Sequence, residues 1–199
     1  SKFISKDLII INETKKYIIK QIVNNSYIFF IKPDWLSYFE SDILPLINNK
    51  FILVTHNSSF VVGNNKKTIS DPNFKKWYND QKKILDNKYL VKWFGQNMIP
   101  SYNTIGLPVG LQNIYWKGSN YKICLQNRDN KKSKLLYVNF SEKTNPIRKN
   151  ILVQLKQKGF EISLKKSWNE YIKDLSTYKC CISPPGSGPD CHRVWECIY

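Results

Sequence analysis

The segment Ser183-Pro184-Pro185-Gly186-Ser187-Gly188-Pro189-Asp190 follows a short apolar run and precedes a helical pattern that reaches the last residue. Gly186 and Gly188 let a backbone approach a ligand closely, and amide groups at a helix start suit a phosphate. Asp190 is placed to cap that helix. At about 100° per residue, His192, Arg193 and Glu196 share one arc, with Cys191, Val194, Trp195 and Ile198 on the other. An imidazole, a guanidinium and a carboxylate therefore share one face, behind a loop that also offers Ser183 and Ser187. A diphosphate beside Gly186–Gly188, neutralised by Arg193, with Glu196 holding ribose hydroxyls, is chemically coherent. The plain alternative is an i,i+3 surface pair of Arg193 and Glu196 beside a solvated histidine. Asp190 would repel a phosphate unless it turned outward to cap.

A second set begins at Thr55-His56-Asn57, directly after the apolar run Phe51–Thr55. His56 is one of two histidines and could act as a general base there. A loop histidine with an Asx-turn behind it is the alternative. Gln96 and Asn97 follow Phe94-Gly95, and Asn113 ends Gly106–Asn113. With Asn57, these amides could line a sugar or acceptor pocket, although turn formation explains them nearly as well.

Metal chemistry finds little support. The chain has no D-x-D, no C-x2-C and no phosphate-loop G-x-x-x-x-G-K-[ST] pattern. Cys180, Cys181, Cys191 and Cys197 crowd the last twenty residues beside His192. Adjacent cysteines on a strand point to opposite faces, which spoils a tetrahedral site. Structural thiols are the expectation. The odd total of five, with no leader pattern ahead of it, points to reduced thiols in a cytoplasm.

These residues need strands and helices to hold them, and the pattern supplies both. Strands are expected at Asp7–Ile11, Ser26–Ile31, Phe51–Thr55, Tyr89–Phe94 and Thr104–Val109. Helices are expected over Glu13–Val23, Trp35–Ile47 and from Asp71-Pro72 to Leu85. Residues 116–133 are polar and read as a linker between a domain at 1–115 and another at 134–199. The second domain restarts the alternation. Lys134–Asn139, Phe160–Ser163 and Lys179–Ile182 are strands, while Asn145–Lys158, Ser167–Tyr178 and the final segment are helices. Gly159 terminates its helix as a C-terminal glycine should. Successive βα units call for a parallel sheet covered by helices, so the fold class is α/β with two Rossmann-like units. In such sheets ligands sit beyond the carboxyl ends of the strands, where His56, Gln96 and Ser183 fall.

Composition narrows the partners. The 199 residues carry a formal charge of +16, which invites a nucleic-acid reading. Yet only Arg128, Arg148 and Arg193 among 31 basic residues are arginine, and alanine is absent. Lys, Asn and Ile are the residues of A/T-rich codons, so coding bias accounts for much of the charge. Lysine is also the weaker bidentate ligand for phosphate or guanine. Specific nucleic-acid binding is not expected. No apolar run approaches the ~18 residues of a membrane span.

Cys181 through Glu196, preceded by Trp168–Ile172 and Leu175–Tyr178, resembles the nucleotide-sugar domain of exostosin-like glycosyltransferases. Phe51–Asn57, Trp93–Asn97, Ile105–Asn113 with Trp116, and Leu135–Asn139 resemble the same family, best in its giant-virus and bacterial surface-polysaccharide versions. The resemblance covers about Phe51 to Tyr199, and its specific part is the Pro-Pro-Gly to Trp-Glu block. It implies a GT-B-like, metal-independent enzyme with no cofactor, a UDP- or GDP-sugar donor and a glycan acceptor. Arg193 would meet the donor diphosphate and Glu196 the ribose or sugar. In that family a further strand follows this helix, whereas the present sequence stops at Tyr199, so the second unit is expected to be cut short. A non-catalytic nucleotide- or carbohydrate-binding module is the alternative.

Overall fold

The computed structural model describes the backbone of residues 8–10 and, with side chains, residues 28–63, 81–112 and 121–199. The helix expected over Glu13–Val23, the start of the helix from Asp71, and Asn113 lie outside the described residues. The chain divides into two compact units, Ser1–Pro108 and Val109–Tyr199.

The first unit is built on five parallel strands in the order of the chain: β1 Leu8–Ile10, β2 Ile28–Ile31, β3 Phe51–Thr55, β4 Leu90–Gln96 and β5 Thr104–Leu107. Period-two burial decides which face is the core. Parallel register aligns Phe29 with Leu53 and Leu53 with Trp93, and all three are fully buried. Against that face pack Leu36, Phe39, Ile43 and Ile84. Phe29 meets Phe39 and Phe51 edge-on at centroid distances of 5.5 and 5.7 Å, geometry worth about 0.5–1.5 kcal/mol per pair beyond burial.

The expected Trp35–Ile47 helix is present but not uniform. A 3-10 turn Pro33–Trp35 leads into α1 Leu36–Tyr38, a π-helical turn Phe39–Ile43 and a second 3-10 turn Leu44–Leu46. Pro45 is the physical cause. In a regular α-helix it would leave the Ser41 carbonyl without a donor and press its ring against that group. Widening the turn before it avoids the clash. A short helix, α2 Lys82–Leu85, completes the described part of this unit.

The second unit contains α3 Tyr121–Asn127, β6 Lys134–Tyr137, α4 Ile147–Gln157, α5 Trp168–Leu175, β7 Tyr178–Cys181 and α6 His192–Ile198. Residues 121–127, inside the stretch read as a linker, are thus helical, and Cys124 is buried against Tyr137 and Tyr171. β6 and β7 are parallel, with Tyr137 opposite Cys181. Phe160–Ser163 is not a strand. The Phe160 amide is spent on the Leu155 carbonyl and that of Gly159 on Lys156, a Schellman cap with Gly159 at φ +80°.

What remains of that expected strand is one bond, Ser163 N–H to the Val138 carbonyl at 2.9 Å. The preceding carbonyl, Tyr137, accepts from Ile182 at 3.1 Å on the other edge. Successive carbonyls of an extended chain face opposite edges. The chain therefore passes from β6 to one side at Ser163 and returns past β6 to β7. Tyr137 packs with α3 and α5, and Val138 with Leu155 of α4, so helices cover both faces. The strands stay parallel, and it is the side to which the chain connects that reverses at β6, the place where open α/β sheets leave a crevice.

Candidate functional site

Two loops emerge at that reversal, residues 138–145 after β6 and 182–190 after β7. Asn145 and Arg148, neither of them singled out from the sequence, join them. Arg148 lies in the first turn of α4 and is 6% exposed. Its Nε donates to the Pro185 carbonyl at 2.8 Å, Nη2 to Pro184 at 2.9 Å and Nη1 to Ser141 at 3.0 Å. Asn145 is 1% exposed and donates from Nδ2 to the Gly186 carbonyl at 3.2 Å, while its Oδ1 accepts from Ile147 N–H. Burial pulls the Arg148 guanidinium below its ordinary value, with Arg193 nearby adding repulsion. Gly186 suits this contact, because a Cβ there would lie a tight 3.0 Å from Arg148 Nη2. The available signal was chemical scarcity. In a lysine-rich chain, an arginine is retained where a planar fork of donors is needed.

The residues expected to bind a ligand on α6 are all in this unit, but their surroundings differ from expectation. Arg193 donates to the Asn139 carbonyl at the end of β6 and lies over the Tyr171 ring, 5.1 Å from its centroid. Glu196 accepts from Trp168 Nε1 at 3.0 Å and from the Tyr171 hydroxyl at 2.9 Å. His192 Nδ1 is 2.8 Å from the Gly110 carbonyl. A carbonyl can only accept, so Nδ1 carries a proton.

The expected division of the helix into a core face and a solvent face is absent, because His192, Arg193, Val194, Trp195 and Glu196 are all half-buried. Its polar arc makes the contacts to α5 and β6, while Ile198, assigned to the apolar core arc, is 67% exposed. Polar side chains face inward because indole N–H, phenol O–H and a strand-end carbonyl await them there.

Asp190 does not cap α6. The N-cap residue is Cys191 and no side chain accepts there. Asp190 instead accepts from Val109 N–H at 2.8 Å and from Trp195 Nε1 at 3.0 Å. Ser183 Oγ is 3.2 Å from Cys191 Sγ, Gly186 and Gly188 are buried, and Ser187 is exposed. Gly186 N–H donates to the Gly188 carbonyl at 2.9 Å, which closes the loop on itself.

In the first unit the structure gathers His56, Asn57, Gln96 and Asn97 beyond the carboxyl ends of β3 and β4. Asn57 N–H donates to Gln96 Oε1 at 3.1 Å, and Gln96 is 5% exposed. Asn57 and Asn97 hold φ of +72° and +52°, a region Asn tolerates better than most residues. His56 Nε2 sits 3.0 Å from the Pro108 carbonyl, which assigns a proton to Nε2, so that in a neutral ring Nδ1 is the acceptor.

Among the described residues no group of three or more His, Cys, Asp or Glu could hold a metal. No helix among them is long and apolar enough to cross a membrane. No protein-family model matches this chain, and no curated protein does.

Proposed function

We propose that this chain is a glycosyltransferase of the exostosin-like, GT-B type, moving a sugar from a UDP- or GDP-sugar to a glycan acceptor. The observation that carries the reading is the change of side in the chain's connections between the parallel strands β6 and β7, with the Pro-Pro-Gly loop braced by Arg148 and Asn145 at the carboxyl end. A diphosphate seated there meets the amides of Ser187 and Gly188, the Gly186 N–H being taken by the Gly188 carbonyl, and the remaining N–H groups of Arg193. As the bond from the anomeric carbon to the diphosphate breaks, charge gathers on the departing phosphate, and these donors stabilise it. Ser183, Ser187 and His192 border the same loop and contribute polar contacts to the donor.

Glu196 takes a narrower role than direct ribose contact, since Trp168 and Tyr171 already claim its two oxygens. It positions α6, and through α6 it positions Arg193. His56, with Nδ1 available, is the candidate base for the acceptor hydroxyl, and Asn57, Gln96 and Asn97 are its acceptor-side neighbours. The reaction calls on no metal or organic cofactor, and the cytoplasm is the proposed compartment. A second reading, a non-catalytic nucleotide- or carbohydrate-binding module, draws support from that same occupancy of Glu196.

A thermal-shift series with UDP, GDP and their sugars tests the proposal. At a hundred times Kd a ligand adds about 2.7 kcal/mol. A shift for one nucleotide that Arg193→Ala abolishes, with release of that nucleoside diphosphate in the presence of acceptor glycans, supports the transferase. Binding without release supports the module, and no shift with any nucleotide overturns both forms of the donor site.

A further inference from the structure

Of the 31 basic residues only Arg128, Arg148 and Arg193 are arginine, and two of these are engaged inside the fold. Arg148 braces the loops after β6 and β7, and Arg193 donates to the Asn139 carbonyl. Arg128, just beyond the end of α3, is exposed, and its guanidinium has no hydrogen-bond or ion-pair partner among the described residues. It borders a cavity of about 320 Å³ in the second unit. An arginine kept in a lysine-rich chain but not bonded to the protein leaves a planar fork of donors for something outside it.

Lys132 and Lys179 border the same cavity, and both are exposed. Among the described residues neither is in an ion pair; those present join Lys32 to Asp34, Lys83 to Glu40 and Lys166 to Asp174. The one acidic side chain on the cavity wall, Glu196, already accepts from Trp168 and Tyr171. Behind the cations the wall is apolar, with Ile172 and Leu175 buried and Tyr178 half-buried. Convergent polar groups over an apolar floor, at this volume, are the anatomy of a small-molecule site. The cysteines around the cavity give no cation site, since no three His, Cys, Asp or Glu among the described residues could hold a metal.

The backbone beneath the cations is fixed. Asn130 Nδ2 donates to Ser176 Oγ at 2.8 Å and to Asn127 Oδ1 at 3.2 Å, which ties the end of α3 to the end of α5. The amides of Ser133 and Lys134 both donate to the Thr177 carbonyl, at 3.0 and 3.2 Å. The turn that carries Arg128 and Lys132 is thereby fastened to Thr177, which stands just ahead of β7 and Lys179. Carbonyl ends of helices repel an anion, but here they are occupied: Ile123 accepts from Asn127 Nδ2, Lys173 from Ser176 Oγ and Asp174 from Thr177.

We propose that this cavity binds a small phosphomonoester, with its phosphate between Arg128, Lys132 and Lys179 and its apolar body over Ile172, Leu175 and Tyr178. Three cations against one occupied carboxylate suit a dianion better than a monoanion, and a phosphomonoester is close to a dianion at neutral pH. The guanidinium fork of Arg128 takes two phosphate oxygens at once, which an ammonium cannot do. No residue of the Pro-Pro-Gly loop borders the cavity, so this site stands apart from the donor site proposed above and does not depend on it.

Phenyl phosphate is the probe, titrated into the full chain by calorimetry, with benzoate and phenol as its singly charged and neutral counterparts. Thiols report the location. Cys180 and Cys197 border the cavity and are exposed, whereas Cys191 does not border it. Phenyl phosphate is expected to bind saturably, benzoate more weakly and phenol not measurably. Bound phenyl phosphate slows iodoacetamide alkylation of Cys180 and Cys197 and leaves the rate at Cys191 unchanged. Arg128→Ala raises Kd about tenfold or more, the scale of a lost charge-assisted pair, and Arg128→Lys recovers part of it. Lys149→Ala, on α4 and away from the cavity, leaves Kd unchanged. The proposal is overturned by any of four results: no saturable binding, benzoate or phenol binding as tightly as phenyl phosphate, protection of Cys191 in place of Cys180 and Cys197, or equal losses in Arg128→Ala and Lys149→Ala.

Discussion

The Nη2 group of Arg148 donates to the carbonyl of Pro184 at 2.9 Å, across 36 residues of sequence and from a side chain only 6% exposed. With the bonds to Pro185 and Ser141 it makes the β7 loop and the β6 loop one body. Arg148→Ala leaves the buried Pro184 carbonyl without this donor and the less buried carbonyls of Pro185 and Ser141 to water, at about 1–3 kcal/mol for an unsatisfied buried group. The expected loss is about 3 kcal/mol or more by urea unfolding. Arg148→Lys recovers a minority of it, because an ammonium cannot copy the planar fork. A loss below about 0.5 kcal/mol for the alanine variant, no more than a typical surface substitution costs, contradicts this role.

Two glycines separate by what stands opposite their missing side chains. At Gly95 a Cβ would meet Met98 Cε at 2.4 Å and Thr55 Oγ1 at 2.6 Å. That hydroxyl accepts the Trp93 indole N–H at 2.9 Å in the core. Gly95→Ala is expected to cost about 1–3 kcal/mol through overpacking. Gly106, with nothing within 4 Å of its Cβ position, is the control. Gly106→Ala should lower the melting temperature by far less than Gly95→Ala, and equal shifts would contradict the packing account.

Glu196 supplies two acceptor oxygens to two different donors, Trp168 Nε1 and Tyr171 Oη. Glu196→Gln preserves shape but offers only one acceptor oxygen and turns an N–H toward the other donor. The expected cost is about 1–3 kcal/mol. In nucleotide titrations Glu196→Gln should weaken binding less than Arg193→Ala if Glu196 acts by positioning α6. A larger loss than that of Arg193→Ala would assign it direct ligand contact.

The start of α5 carries a pH-dependent cap. Ser167 Oγ accepts from Glu170 N–H, and Glu170 Oε2 accepts from Ser167 Oγ–H and N–H. These bonds, the hydroxyl first, hold the Glu170 carboxyl below its ordinary value of 4.5. A carboxyl lowered by folding stabilises the fold above its unfolded value and ceases to as pH falls through its folded one. Ser167→Ala should therefore lower stability at neutral pH, by about 1 kcal/mol for loss of an N-cap hydroxyl. The gap between the two proteins should narrow as the pH falls below 4.5. A gap that stays constant to pH 3 would separate the cap from Glu170 ionisation.

Some of this molecule is legible in short windows of its sequence. The run Phe51–Thr55 is a strand with the expected bounds, and Gly159 ends its helix in a Schellman cap. Each depends on neighbours within a few residues: a compact run of apolar side chains, and a glycine free to take positive φ. The π-turn before Pro45 and the loss of the Phe160–Ser163 strand are equally local, although they needed the hydrogen bonds to be seen. Nothing local reports the side on which a returning chain will pair. The reversal at β6 and β7 therefore belongs to tertiary structure, where carbonyls of Tyr137 and Val138 choose partners 45 and 25 residues away. The same limit applies to Arg193 and Glu196. Helical spacing set them on one arc of α6, but whether that arc faces water or protein depends on Trp168, Tyr171 and Asn139. Arg148 shows it most plainly, since its three acceptors become neighbours only after two loops fold together.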